Sequence, residues 1–400
     1  MKNNRTFLEK LLDGAEVKWK PLINVASLTR GRVISKEYLA NNLGDYPVYS
    51  SQTVNNGEIG KINSFDFDGE FVSWTTDGAN AGTVFYRSGK FSITNVCGLI
   101  KIQNNLELNY KFLFYWLSIE AKNHVYSGMG NPKLMSHQME KILIPIPPLS
   151  VQTEIVKILD ALTALTSELT SELTSELTLR RKQYEYYREK LLSEEELGKV
   201  GFKWKTLEEL VEKTQNIRWK NNTKTYRYID LTSVDRENNN ITGTTEINAL
   251  NAPSRAQKIV KENDVIFATT RPTQQRVALI SKEFSDEIAS TGYCVLRAKT
   301  NIVLPKWLFY FLSTINFKNY VEENQSGSAY PAISDSKVKE FRIPVPEVTI
   351  QQSIIEKLDK FYSLTNSLLH GLPKEINNRT KQYSYYQKEL LNFLGREIYE

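Results

Sequence analysis

One stretch of this 400-residue chain decides the fold, and at residues 150–192 it is SVQTEIVKILDALTALTSELTSELTSELTLRRKQYEYYREKLL. Apolar residues recur there every three or four positions, the spacing of one face of an α-helix. At ~1.5 Å per residue the stretch predicts a helix of roughly 65 Å. A helix so long needs a partner to cover its apolar stripe. The stripe consists of Ile155, Leu159, Leu162, Leu165, Leu169, Leu173 and Leu177.

The tetrapeptide TSEL occurs three times in tandem at residues 166–177. A run rich in Ser and Thr is also found in disordered linkers. Here Leu recurs every fourth residue, Glu favours helices and neither Gly nor Pro intervenes, so we predict a continuous helix. Because four residues exceed one helical turn of 3.6, the leucine stripe drifts by about 40° per repeat.

The segment 127–192 is repeated at 326–391, at a fixed offset of 199 residues. The matches include SGMGNP with SGSAYP, IPIP with IPVP, and KQYEYY with KQYSYY. The repeat predicts a second helix that packs against the first as an antiparallel coiled coil. HGLP at 370–373 predicts a kink or restart, because proline is tolerated only in a first turn. Ser150, and Thr349 with Gln352, are the expected N-caps of the two helices.

Regions rich in Val, Ile, Phe, Tyr and Thr precede each helix, and turn residues interrupt them. Helices are predicted at Tyr110–Ile119 and at the matching residues 306–315. Near the amino terminus the segment LEKLLDG precedes VKWKPL, and at 189–207 the segment EKLLS precedes FKWKTL in the same way. The halves are therefore circularly related, and the termini should meet. The strand segments are FVSWTTDGANAGTVFY at 71–86, FSITNVCGLIKI at 91–102, IVKENDVIFATT at 259–270 and YCVLRA at 293–298.

These patterns predict an α+β fold with two similar globular modules, separated by two long helices and related by a pseudo-twofold axis. Duplex DNA is a natural partner for that symmetry, because half-site spacing mirrors protein symmetry. The expected bounds are 1–148 for the first module with a short N-terminal helix, 149–194 for the central helix, 195–347 for the second module and 348–400 for the last helix.

The net charge of +5 is uneven along the chain: +3 for residues 1–150, −2 for 151–194, +4 for 195–346 and 0 for 347–400. Basic blocks separated by an acidic one favour a nucleic-acid partner. No apolar run is long enough to span a bilayer. The charged start MKNNRTFLEK is unlike a signal peptide, so we expect a cytoplasmic protein. Cys97 and Cys294 follow apolar or β-branched runs and are expected to be buried strand thiols.

The arrangement resembles the specificity subunit of a type I restriction–modification enzyme. The resemblance covers nearly the whole chain and rests on PIPPLSVQTEIVKILD at 145–160, the TSEL tetrads, both KQYxYY segments and the W-K-x-L starts at Trp19 and Trp204. The tetrads are typical of the subgroup with tetrapeptide-repeat spacer helices. TNSLLHGLPKEI in the second spacer departs from that pattern, which leaves its local geometry open.

The resemblance implies two target recognition domains, each for one half of a split DNA sequence, with the paired helices as a ruler. It also implies that two methyltransferase subunits dock on the helices and that translocating restriction subunits bind further out. S-adenosylmethionine, ATP and Mg²⁺ would then belong to these partner subunits and not to this chain.

Motifs for catalysis are missing from the sequence. It contains no G-x-x-x-x-G-K-[ST] loop for ATP and no N-P-P-[FY] or D-P-P-[YW] element for base methylation. His124, His137 and His370 do not have the spacing of metal ligands. We therefore expect no catalytic site and no metal site in this chain.

Candidate DNA contacts are the polar and basic clusters in predicted turns, since Arg pairs with guanine, Asn and Gln with adenine, and Lys or hydroxyls with phosphates. The clusters at 75–80 and 269–276 occupy equivalent positions in the two copies. For every cluster a solvated polar loop is the alternative. The candidates are Arg30, Arg32, Lys36, Thr75, Thr76, Asn80, Asn131, Lys133, Arg218, Lys220, Thr270, Arg271, Gln274, Gln275, Arg276 and Tyr330.

Tyrosine triplets occupy matching positions on the two helices, and tyrosine often anchors protein interfaces. Two similar triplets suit two identical partners, although packing within the chain is the alternative. The docking candidates are Tyr184, Tyr186, Tyr187, Tyr383, Tyr385 and Tyr386.

Three functions remain open from the sequence. The first is a non-catalytic DNA-recognition subunit of a methylating and restricting complex. The second is a structural coiled-coil adaptor that binds only proteins, and indifference of the assembled complex to DNA sequence would favour it. The third is a self-sufficient enzyme, which methyl transfer or cleavage by the isolated chain would establish.

Overall fold

The computed structural model describes residues 6–127, 130–236, 239–366 and 371–393. The chain forms two compact units, one from Met1–Leu169 with Arg379–Glu400, the other from Thr170–Asn378. Both long helical segments begin in one unit and end in the other. Leu368 and His370 lie outside the described residues, as does Met129 of the SGMGNP segment.

The elements up to the central helix are mostly strands. In chain order they are α1 (Phe7–Leu12), β1 (Lys18–Pro21), β2 (Ala26–Arg30), α2 (Lys36–Asn41), β3 (Leu43–Tyr49), β4 (Glu58–Ile62), β5 (Phe67–Thr75), β6 (Val84–Ile93), β7 (Cys97–Ile102), α3 (Tyr110–Glu120), α4 (Ser136–Met139), β8 (Leu143–Ile146) and α5 (Leu149–Leu191).

The remaining elements again combine strands and helices, and most of the strands are shorter. They are α6 (Glu194–Gly198), β9 (Lys203–Thr206), α7 (Leu207–Leu210), β10 (Val211–Glu212), β11 (Tyr226–Ile229), β12 (Thr245–Ile247), β13 (Ala256–Ile259), β14 (Val265–Ala268), β15 (Val277–Leu279), β16 (Ile288–Ser290), β17 (Tyr293–Ala298), α8 (Pro305–Phe311), α9 (Ile315–Asn324), α10 (Asp335–Glu340), β18 (Arg342–Val345), α11 (Val348–Asn366) and α12 (Leu372–Leu390).

A six-stranded sheet of order β2-β7-β5-β6-β3-β4 forms the first unit. Strand pairs are antiparallel except for β3 with β6. Trp74 on β5 is fully buried and its indole Nε1 donates to the Leu134 carbonyl at 2.9 Å. A Cβ at Gly98 on the adjacent strand would lie 2.0 Å from the Trp74 ring, so only glycine fits there.

The second unit contains two four-stranded sheets, of order β10-β17-β14-β15 and β12-β11-β16-β13. The first of these has the same strand order as β2-β7-β5-β6 of the first unit. The two units thus share an antiparallel four-stranded core and differ in what is added to it. In the predicted strand segment 259–270 only Val265–Ala268 forms a strand of its own, β14, whereas the predicted strand at 293–298 is confirmed over its whole length as β17.

A buried glutamine joins each module to the helix that follows it. Gln152 is fully buried; its Oε1 accepts from the Asn109 amide at 2.9 Å, and its Nε2 donates to the carbonyls of Glu107 and Pro147 at 2.8 and 2.9 Å. Gln351 makes the corresponding three bonds at 2.9 Å to Leu304, Ile302 and Pro346. The duplication therefore extends to individual hydrogen bonds.

The helix predictions are largely confirmed. The TSEL repeats lie wholly within α5, which has 43 residues. The second spacer stops at Asn366, and α12 begins at Leu372 with Pro373 in its first turn, as the restart requires. The expected N-caps are wrong: α5 begins at Leu149 and α11 at Val348, so Ser150 and Thr349 lie inside the helices.

The two spacer segments pack side by side within each unit. In the first unit the hydroxyls of Thr163 and Tyr383 are 3.0 Å apart. In the second unit Tyr187 stacks on Phe361 with ring centroids 5.1 Å apart, and Tyr184 contacts Tyr362. Leu165 remains 53% exposed. A coiled coil over the full length of the helices stays a prediction.

The expected meeting of the termini is confirmed for the described residues. Leu8 of α1 shares a hydrophobic core with Leu390, Leu391 and Phe393, at the end of the last helix and just beyond it. The predicted helix at 110–119 is α3, but its counterpart at 306–315 is interrupted, because Thr314 caps a separate helix by accepting from the Phe317 amide.

The two cysteines are free and buried on β7 and β17, as expected for strand thiols. Burial raises the pKa of the Cys97 thiol to about 11 and that of Cys294 to about 12. Among the described helices none combines the length and the apolar character that a bilayer crossing demands.

Candidate nucleic-acid interface

The first candidate surface is the β5–β6 loop, residues 76–83, which connects two central strands of the first sheet. It is held against the segment 131–134. The Gly78 amide donates to the Pro132 carbonyl at 3.0 Å, and the Leu134 amide donates to the Thr76 carbonyl at 2.9 Å. Two polar clusters that are separate in sequence are therefore adjacent in space.

Thr75 and Thr76 are both fully buried at the base of this loop. The Thr76 hydroxyl donates to the Val96 carbonyl at 2.9 Å, and the Thr75 hydroxyl contacts the Asn80 carbonyl. Their hydroxyls thus hold the loop in shape and are turned away from solvent. Of the predicted contacts in this stretch, Asn80 is the one that is partly exposed, and its Nδ2 donates to the Ser51 carbonyl at 3.3 Å.

Charged side chains surround the tip of the β5–β6 loop. The Asp77 carboxylate lies 4.0 Å from Arg30 Nη2 and 3.7 Å from Lys133 Nζ. Arg30 also donates to the Asn95 carbonyl at 3.0 Å. Asn131 and Lys133 are both exposed. Two cations with one anion between them leave a local positive excess that suits a polyanion.

Arg32 and Lys36 lie beside this cluster in sequence but have other surroundings. Arg32 is bonded to the Asp66 carboxylate at 3.0 Å and lies 4.9 Å from the Tyr38 ring. Lys36 is exposed in the first turn of α2.

The second candidate surface is the β14–β15 loop, residues 269–276, and its backbone frame repeats that of the first. The Arg271 amide donates to the Pro331 carbonyl at 2.7 Å, and the Ile333 amide donates to the Thr269 carbonyl at 2.9 Å. Both bonds correspond to those of Gly78 and Leu134 in the first unit. Thr270 pairs with Ala332 as an isolated bridge, as Asp77 does with Lys133.

The side chains on this second frame are different. Arg271 is exposed in a left-handed conformation, φ 48°, with its guanidinium 5.5 Å from the ring of Tyr330, itself 73% exposed. Gln274 and Gln275 are partly exposed. Arg276 is committed within the unit, because its Nη1 donates to the Leu231 carbonyl.

Arg218 and Lys220 lie apart from this loop, beside the sheet of β11, β12, β13 and β16. Both are exposed on either side of the half-buried Trp219, whose indole donates to the Ala256 carbonyl at 2.8 Å. The tryptophan anchors this segment while its two basic neighbours remain accessible to solvent.

Comparison with known proteins identifies the family of the chain that carries these paired loops. The family described as type I restriction modification DNA specificity domain matches residues 15–179 and 199–378. The chain belongs to this family.

Two relatives match along almost their whole length. A putative type I specificity subunit of Mycoplasma pneumoniae is 32% identical over 390 residues, which is 96% of this chain and 99% of that one. A putative type I restriction enzyme specificity subunit of Haemophilus influenzae is 36% identical over 403 residues, 98% of this chain and 100% of that one. Among solved structures, a type I restriction–modification S subunit from M. genitalium aligns with 96% of this chain and 98% of its own, at 16% identity and a TM-score of 0.48.

Membership of the type I specificity family favours the DNA-recognition hypothesis over the adaptor hypothesis. The sequence matches the family twice. The first match contains the β5–β6 loop and the second contains the β14–β15 loop. Aligning the two frames by their hydrogen bonds gives an offset of 193 residues, so Thr75 corresponds to Ala268 and Gly82 to Gln275. The predicted equivalence of residues 75–80 and 269–276 thus holds for the backbone.

The tyrosine triplets divide into buried and exposed members. Tyr184 is only 6% exposed, and burial raises its pKa to about 12. Tyr187 stacks on Phe361, and Tyr383 bonds to Thr163, so these three pack within their own units. The exposed members are Tyr186, Tyr385 and Tyr386.

The side chains that could bind a metal ion are dispersed over the described part of the chain. Within the described part of the chain, the His, Cys, Asp and Glu side chains form no group of three or more that could hold a metal ion. His124 Nε2 contacts Glu120 at 3.0 Å, and His137 is exposed on α4.

Three arginines that our sequence analysis missed line a cleft in the second unit: Arg181, Arg188 and Arg236. The spacing of seven between the first two corresponds to two helical turns and is the signal that places them on one helix face.

Proposed function

We propose that this chain is the DNA sequence-recognition subunit of a type I restriction–modification complex and catalyses no reaction itself. Each unit binds one half of a bipartite site. The β5–β6 loop with Arg30, Asn131 and Lys133 contacts one half, and the β14–β15 loop with Arg271, Gln274 and Tyr330 contacts the other. Arg32, Lys36, Arg218 and Lys220 supply contacts around them.

The observation that carries this proposal is the repeated backbone frame with different side chains. An amide at the loop tip donates to a proline carbonyl in each unit, at Gly78 and at Arg271. The residues displayed there change from Asp77 and Asn131 to Thr270 and Tyr330. A constant frame with changed donors and acceptors is what two modules need in order to select different bases.

The spacer helices set the gap between the half-sites and dock the methyltransferase subunits, and restriction subunits bind to that assembly. The exposed tyrosines Tyr186, Tyr385 and Tyr386 support this role, because an exposed ring on a helix is available to a partner. S-adenosylmethionine, ATP and Mg²⁺ are bound by the partner subunits. The TSEL tetrads support membership of the subgroup with tetrapeptide-repeat spacers.

A methylation map tests the proposal. We would express the chain with its modification subunits in cells without other adenine methyltransferases and sequence the methylated bases. The expected result is one bipartite motif with a fixed gap. Replacing residues 195–347 by the same region of a relative should then change one half of the motif and keep the other. Methylation without sequence preference, or a motif that ignores the exchange, would refute the proposal.

Docking is tested separately by co-purification of the modification subunit with the Tyr385→Ala, Tyr386→Ala double variant. We expect weaker assembly at unchanged thermal stability. Lys381→Ala, an exposed residue on the same helix, is the matched control.

A further inference from the structure

A cleft of about 410 Å³ lies in the second unit between α5, α11 and the β14–β15 loop. Its lining includes Arg181 and Arg188 from α5, Arg236 from the turn before β12, and Gln274 and Gln275 from the loop. The lining thus contains three arginines, neutral amides and Glu185. Arg188 is also paired with Glu189 at 2.8 Å. The cleft therefore retains a positive excess directly beside the loop that carries Arg271.

The residues at the equivalent place in the first unit are different. At the offset of 199 residues Arg181 corresponds to Thr380 and Arg188 to Gln387. Gln387 Nε2 donates to the Ser118 hydroxyl at 2.9 Å, whereas the matching Ser313 lines the open cleft of the second unit. On the loop side the equivalents of Gln274 and Gln275 are Ala81 and Gly82, which are both buried.

The neighbouring helix position does not share this asymmetry. Arg180 corresponds to Arg379, and each donates to the glutamine three residues later, Gln183 or Gln382, at 2.8 and 3.0 Å. Two arginines that face the cleft are thus replaced in the other copy, while the arginine that faces away is kept. Such a selective difference points to a ligand that only the second unit holds.

We propose that this arginine cleft binds a backbone phosphate of the DNA, next to the half-site that the β14–β15 loop contacts; this rests on the proposed function. Guanidinium groups bind phosphate oxygens through paired N–H donors, and they fix the register of a protein on the duplex without reading bases. Gln274 and Gln275 join the cleft to the recognition loop. The bound phosphate thereby positions that loop.

The test uses the specificity subunit assembled with its modification subunits and a duplex that carries the motif from its methylation map. The variant is Arg181→Ala with Arg236→Ala. We expect roughly tenfold weaker binding and a salt dependence of log Kd that is shallower by about 0.9 for each phosphate that the variant no longer neutralises. The methylated motif should stay unchanged. Arg180→Ala is the matched control, because its side chain bonds to Glu176 and Gln183 along the same helix.

Methylphosphonate substitution locates the phosphate. Neutralising single phosphates should weaken binding of the wild-type complex at one or two positions flanking one half-site, and the double variant should show no further weakening there. Arg181→Lys with Arg236→Lys keeps the charges and should restore the salt dependence, which also controls for misfolding of the alanine variant.

Two results would overturn the proposal. One is a double variant whose affinity and salt dependence equal those of Arg180→Ala. The other is a double variant that fails to assemble with the modification subunits although the salt dependence of its DNA binding is unchanged. That result would make the cleft a protein-docking site. Failure of the wild-type complex to prefer its motif over a scrambled duplex would instead refute the proposed function.

Discussion

The buried glutamines allow a quantitative test of how each module is attached to its spacer helix. The perturbation is Gln152→Met in the first unit and Gln351→Met in the second. Methionine has a similar length and volume, so it leaves little cavity, but it cannot replace the amide. Each substitution removes three hydrogen bonds to backbone groups that are 2.8–2.9 Å away.

The expected cost follows from those bonds. A buried backbone group without its partner costs about 1–3 kcal/mol. With three groups at each site, the free energy of unfolding should fall by roughly 3–9 kcal/mol. That is a large part of the ~5–15 kcal/mol that stabilises a typical domain. The modules should therefore loosen from their helices while their sheets persist.

Urea unfolding measures the destabilisation, and hydrogen exchange locates it. Gln152→Met should expose the amides of residues 104–112 and leave those of 301–308 protected, and Gln351→Met should do the reverse. Gln352→Met is the matched control, since that side chain is exposed and its amide donates to Glu356 at 2.9 Å. Unfolding midpoints of both buried variants that equal that of Gln352→Met would refute the reasoning.

Three further predictions concern spacing, specificity and packing. Adding one TSEL should lengthen α5 by ~6 Å, about two base pairs at ~3.4 Å each; a methylation map should show a longer gap with the same half-sites, and an unchanged gap would contradict the ruler. Arg271→Ala should relax one half-site at a cost of about 1–3 kcal/mol if the guanidinium contacts a base, whereas uniform weakening across sequences would identify a phosphate contact. Gly98→Ala should lower stability by about 1–3 kcal/mol or more, because its Cβ would overlap the Trp74 ring; thermal unfolding would compare it with Gly130→Ala, where no atom lies within 4 Å of the added Cβ.

The repeats in the sequence predicted the architecture, because the burial of apolar side chains requires their regular spacing. Leucines at helical spacing predicted α5, and Pro373 predicted the restart at α12. The N-caps predicted at Ser150 and Thr349 were wrong, because the helices already begin at Leu149, directly after Pro148, and at Val348, two residues after Pro346. Cap assignment depends on the backbone angles of one residue, which the spacing of apolar residues does not specify.

The candidate site was only partly predictable, for a different reason. The sequence indicated polar turns, but it did not distinguish polar side chains that hold a loop in place from those that face solvent. Thr76 and Arg276 turned out to bond to backbone carbonyls of their own unit. The cleft that contains Arg181 and Arg236 joins segments distant in sequence, and only their packing brings them together.

Comparing the two units separates the part of the chain that maintains the fold from the part that can diverge. Positions that match are bonded inside: Gln152 with Gln351, and Pro132 with Pro331, whose carbonyls accept the loop amides. Exposed positions at the loops differ, such as Lys133, which corresponds to Ala332. Because exposed substitutions usually change stability by less than about 0.5 kcal/mol, the displayed side chains are free to change. The buried hydrogen bonds keep each loop in place, so a new DNA preference can evolve in one unit without disturbing its frame.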